Sequence, residues 1–145
     1  IEEFRKAVDF YLAAAHDDDA ALLEAAELLH SKYEILVRVI RPVLKEVDAF
    51  HRVLYVIYHQ HLPNQNYEAI ASLSEEMVGL AEGILAASLP RRLEGKDEAF
   101  RLAGRELVDS TRAMLELARS GPGPALAAAV EKVHTAYQNL EKIFD

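Results

Sequence analysis

Two copies of one short pattern hold the side chains best able to do chemistry. Glu27, His30 and Tyr33 stand at three-residue steps, and Glu131, His134 and Tyr137 repeat the spacing. On a helix such steps keep side chains along one side, so each copy lines up a carboxylate, an imidazole and a phenol. Neutral imidazole is a ligand for zinc, copper, nickel or iron. His51, next to Phe50 and one turn from Val47 and Leu54, adds a third imidazole at the flank of an apolar stripe. His30 holds the same place beside Ala26, Tyr33 and Val37, and His134 beside Val130 and Tyr137. His61 falls inward at the end of its helix, with His59 nearer the solvent boundary. A bundle that gathered these residues would offer a divalent transition metal His30, His51, His134, Glu27 and Glu131. Tyr33 and Tyr137 would face a bound cofactor or small ligand. The plainer account carries more weight: each histidine packs at a helix boundary and hydrogen-bonds to a tyrosine or glutamate.

The paired Glu-x-x-His elements also match those of carboxylate-bridged di-iron bundles. Such a site needs an inward glutamate from each of two further helices. Glu46, Glu75, Glu76, Glu82, Glu106 and Glu116 are the candidates, and most fall on polar faces. Glu27 and Glu131 also sit further from their stripe centres than their own histidines. No other catalytic constellation emerges. Arg38, Arg41, Arg52, Arg91, Arg92 and Lys96 accompany no glycine-rich phosphate loop, and Ser110 and Thr111 have no nucleophile–base pattern around them. Tyr33, Tyr55, Tyr58 and Tyr137 lie on or near inward faces, as core residues whose hydroxyls reach a partner.

The elements that must position these groups are helices. Half of the 145 residues are hydrophobic and 8% aromatic, with six glycines and five prolines set between apolar runs. That composition gives an all-α class. There is no cysteine, which excludes a disulfide framework, a thiolate metal site, a cysteine nucleophile and covalent haem. A net charge of -8 argues against nucleic-acid binding, and no apolar run reaches the length of a membrane span. The chain opens on Ile1 and not on methionine, as a trimmed, processed or partial chain would.

Apolar periodicity predicts helices over 2–15, 20–40, 43–61, 67–88, 97–119 and 125–144. His16-Asp17-Asp18-Asp19 reads as a turn with an aspartate to cap the second helix, and Asn66 caps the fourth. Pro42 either occupies the first turn of a new helix or kinks one helix running on to His61, and the kink is favoured since no Gly, Asn or Asp beside it makes a turn. Gly79 and Gly83 suggest a close helix contact. Pro90–Lys96 is a loop, and Ser120-Gly121-Pro122-Gly123-Pro124 the strongest turn. Residues 43–145 then make an up-down antiparallel four-helix bundle, with residues 1–40 as an additional N-terminal helix pair of one all-helical domain.

That pair is a partial copy of residues 105–144. Ala21, Leu22, Ala25, Glu27, His30, Tyr33 and Leu36 recur in order as Ala125, Leu126, Ala129, Glu131, His134, Tyr137 and Leu140. The closing pair, LELARSGPGPALAAAVEKVHTAYQNLEKIF, resembles the C-terminal half of cytochrome c prime and its relatives: Ala-rich helix, Gly-containing turn, Ala-rich helix. Register sets Tyr137 and Leu140 where that family carries its haem-attaching cysteines. Glu141 stands where it carries the ligating histidine, and Phe144 at the trailing aromatic. The resemblance implies the bundle fold and a periplasmic or cell-envelope location, against a cytoplasmic one otherwise; it does not imply haem. Three functional readings follow, in this order. The first is a non-enzymatic bundle binding a transition metal or small ligand through His and Tyr. The second is a structural or interaction bundle that self-associates through residues 1–40 as a homodimer. The third is a di-metal redox enzyme.

Overall fold

The computed structural model describes residues 1–14, 18–40 and 42–145. Every regular element among them is helical, and the chain divides into two compact units, Ile1–Pro42 and Val43–Asp145. Ala15, His16, Asp17 and Arg41 lie outside the described residues, and with them the expected end of the first helix and half of the expected turn.

The first unit is a pair of packed helices, α1 (Glu2–Ala14) and α2 (Asp19–Ile40). Glu2 and Glu3 occupy the first turn of α1, where carboxylates favour the helix dipole, and both pair with Lys6 at 3.5 and 3.0 Å. Asp18 caps α2 as expected: its Oδ1 accepts from the Ala21 N–H at 2.9 Å. Among the described residues the side chains buried here are alanines, Ala7, Ala14 and Ala25. Leu12, four residues on from Val8 and so on the apolar stripe of α1, and Tyr33, expected inside, are exposed.

The second unit holds α3 (Lys45–Val56), α4 (Tyr67–Ala86), α5 (Asp97–Ser120) and α6 (Ala125–Glu141). Here α3 packs on α4, α4 on α5, and α5 on α6. Its core draws Phe50, Ile70, Met77, Ile84, Phe100, Leu107 and Met114 from successive helices. On α6 every residue of the expected stripe is buried: Leu126, Ala129, Val130, Val133, Tyr137 and Leu140, then Phe144 in a terminal 3₁₀ turn. The two buried hydroxyls, Ser74 and Thr111, donate back to the carbonyls of Ile70 and Val108, both at 2.9 Å. Asn66 caps α4 through Oδ1 and the Ala69 N–H. Gly121 takes a φ of 134°, which L side chains rarely adopt, and ends α5.

Five expectations need correction. The helix does not run through Pro42: α2 ends at Ile40, Pro42–Leu44 are not helical, and α3 begins at Lys45 behind an extended Leu44 with a ψ of 148°. Proline lacks the N–H and disfavours helical backbone just before it. The 43–61 helix is likewise not uniform, since α3 passes into a π-helical turn at Ile57–His61. Pro90–Lys96 is no plain loop, because Arg91–Lys96 form a 3₁₀ helix whose Lys96 Nζ donates to the Ile143 carbonyl at 2.7 Å. Gly79 and Gly83 face open space; the close helix contact is at Gly104, where a Cβ would meet Leu85 Cδ1 at 3.1 Å. Leu117 is exposed where the stripe placed it inside.

Candidate functional site

The aromatic and imidazole groups of the second unit gather along one seam, between α3 with its π-helical turn and α6. The seam is built on Tyr137, buried on α6, whose ring lies parallel to those of Phe50 and His51, at 5.8 and 5.3 Å. One turn back along α6, His134 stacks on Tyr58, with ring centroids 4.0 Å apart and planes 13° from parallel. His51 and Tyr55 on α3 and His59 on the π-helical turn follow at four-residue steps, with ring centroids 6.0 and 4.5 Å apart. Tyr58 meets His59 edge-on at 5.3 Å.

Two carboxylates hold the phenols. The Tyr58 hydroxyl donates to Glu131 Oε2 at 3.3 Å, and the Tyr137 hydroxyl to Glu141 Oε1 at 3.0 Å. Burial pushes the His134 pKa below its ordinary value. Glu131 and, more weakly, Glu141 oppose that shift, while nearby His59 and His51 add to it. Burial raises the Tyr58 pKa, and the Glu131 carboxylate beside it, as charge and as hydrogen-bond acceptor, raises it further. At neutral pH the pair is therefore a neutral imidazole stacked on a protonated phenol.

The π-helical turn sits beside this ladder. Its ring is closed by the Leu62 N–H donating to the Ile57 carbonyl at 2.8 Å, one residue wider than an α-helical bond. Such turns cost stability and recur where function needs a displaced side chain. This one carries Tyr58 and His59.

The expected ligands fall as follows. His30, Glu27 and Tyr33 belong to the first unit, His51, Glu131, His134 and Tyr137 to the second. His30 is exposed and pairs with Glu34 at 3.2 Å; Tyr33, 53% exposed, lies 6.4 Å from the Phe4 ring. Glu131 is exposed, while His51 and His134 are half-buried. Among the described residues of the second unit no three His, Asp or Glu side chains come together as a metal would require, so His51, His134 and Glu131 by themselves form no such group. The physical reason is visible at Glu131 and His134. Tyr58 lies against both, stacking on the imidazole and binding the carboxylate. Of the further glutamates of a di-iron site, Glu75, Glu76, Glu82, Glu106 and Glu116 are exposed and Glu46 is half-buried.

His59 and Glu141 are members of the seam that the sequence reading left out. The signal was present, because His59 follows Tyr55 by four residues and Glu141 follows Tyr137 by four. A second concavity, an open groove between α4 and α5, is lined by Leu85, Val108, Arg105 and Asp109 and by Arg112, which is bridged to Glu82 at 2.6 Å. It contains no nucleophile–base pair. No helix among the described residues is long and apolar enough to cross a membrane. No known protein family matches the chain, and neither a curated protein nor a solved structure matches it.

Proposed function

We propose that this protein is a non-enzymatic helical interaction module that self-associates through residues 1–42. Residues 43–145, read as an up-down antiparallel four-helix bundle, are the self-supporting part. Helices that follow one another through short turns and pack side by side support that arrangement. The observation that carries the functional reading is the poverty of the first unit's interior. Among its described residues the buried side chains are alanines, while Phe10, Leu12, Leu23, Tyr33, Ile35, Val39 and Ile40 are exposed. A unit of this size with no cysteine to staple it lies near the limit below which chains need metals or oligomerisation to hold a fold. Exposed apolar side chains on two adjacent helices are what a helix–helix interface uses.

The test is light scattering on the full chain across a concentration series from low to high micromolar. A monomer–dimer transition within that range is the expected result. A mass that stays monomeric at every concentration sinks the proposal.

A further inference from the structure

This inference rests on the self-association reading and names the face and the geometry. The α2 helix is apolar over two adjacent sides. Leu22, Leu29 and Leu36 form one line at seven-residue steps and are half-buried. About 100° around the helix, Leu28, Ile35 and Val39 form another, at seven- and four-residue steps. They are 39%, 57% and 76% exposed, rising along the helix. One helical neighbour covers one side of a helix, and a helix apolar on two sides is built for two neighbours. Within the first unit, α1 is one.

The charges beside the outer line select the second. Glu24 and Arg38 lie on the same flank of it, about four turns apart, with Ser31 midway. Two helices meeting in parallel about a two-fold axis put this flank on opposite sides of the seam in the two copies, so neither Glu24 nor Arg38 meets its opposite charge. Two meeting antiparallel about a two-fold axis at Ser31 set Glu24 against Arg38 of the second copy at both ends. In the same register Leu28 and Ile35, on either side of Ser31, interdigitate with their counterparts. Lys32 flanks the other edge, where its charge adds to those that lower the Glu3 pKa on α1. In a chain of net charge -8, a register that opposes unlike charges is the one in which two copies can meet.

We infer that α2 pairs with α2 of a second copy, antiparallel, through Leu28, Ile35 and Val39, with the two-fold axis at Ser31. The interface is isologous and closes at two copies.

The native chain has no cysteine, so Ser31→Cys is a clean reporter. A residue on a two-fold axis meets itself, and mild oxidation of the full-length variant should convert most of it to a disulfide dimer. Ser72→Cys, at an exposed position of α4, should not respond. As a second arm, Glu24→Arg and Arg38→Glu should each shift the light-scattering transition to higher concentration, and the double variant should return it towards wild type. Circular dichroism on each variant shows that the helices persist. A native dimer in which Ser31→Cys fails to cross-link and the charge swap fails to restore association overturns this interface and leaves self-association standing. A native chain that never leaves the monomer overturns both.

Discussion

His134 is where the environment of a single side chain has the most readable consequence. Burial against α3 and the π-helical turn holds its pKa below the unfolded value of about 6.5. A histidine of this kind is neutral in the folded state over a pH range in which the unfolded chain already takes up a proton. Its contribution to stability is therefore complete above about pH 6.5 and declines as pH falls through that value. The decline stops once His134 protonates in the folded state as well. The expected result is a denaturant midpoint that drops on acidification, with a smaller drop in His134→Gln; equal slopes for the two proteins would remove His134 from the effect. The imidazole proton resonance of His134, followed by NMR, should titrate below the free value. Tyr58→Phe isolates the other half of the pair. The variant keeps the stacked ring and loses only an exposed hydrogen bond of 3.3 Å to Glu131, so its cost should be below about 1 kcal/mol. A loss of several kcal/mol on denaturant titration would mean that the hydroxyl holds the seam together.

Among the elements, α6 is the one whose sequence left least open. Its stripe from Leu126 to Leu140 is buried throughout. Leu126→Ala or Leu140→Ala should each cost about 2–5 kcal/mol, and a loss under about 0.5 kcal/mol at both positions on chemical unfolding would contradict this packing. The α4 and α5 helices give a sharper comparison, because their glycines differ. Gly79 and Gly83 meet nothing where a Cβ would stand, so alanine at either should stabilise by about 0.5–1 kcal/mol through helix propensity. At Gly104 the new methyl would meet Leu85 at 3.1 Å, and the same substitution should destabilise. Thermal melts of the three variants check the opposite signs. The sequence alone revealed the periodicity of α6 and the caps at Asp18 and Asn66, because these are local: spacing and one side-chain acceptor decide them. It misassigned the glycines, because Gly-x-x-x-Gly states a spacing and not which side of α4 a neighbour occupies. It joined α2 to α3 because the rest of the chain around Pro42 lacks turn residues, yet the backbone of Pro42–Leu44 leaves the helix without them. The seam was half legible. Its paired Glu-x-x-His-x-x-Tyr was visible, but the π-helical turn at Ile57–His61 has no such signature. It is that turn that carries Tyr58 to His134 and Glu131, two of the residues read as metal ligands.

At the scale of the whole molecule, the two units differ in what each can sustain alone. Residues 43–145 enclose large side chains from four helices, with Phe50, Phe100, Leu107 and Leu140 fully buried. The described residues of 1–42 enclose alanines, and a buried alanine contributes little of the transfer energy that offsets ordering a helix. The units should therefore separate in a fragment experiment. A 43–145 fragment should keep its helical circular dichroism and melt in one cooperative transition. A peptide of residues 1–42 should be weakly helical when dilute, because an isolated helix pair without a large-side-chain core is marginal in water. Its helicity should then rise with concentration, as association supplies the missing neighbour, and that rise should weaken in a peptide carrying Ile35→Asp and Val39→Asp. Concentration-independent helicity of the short peptide would show that alanine packing and the Asp18 cap suffice. In that case the exposed line on α2 would no longer be needed to hold the first unit in its fold.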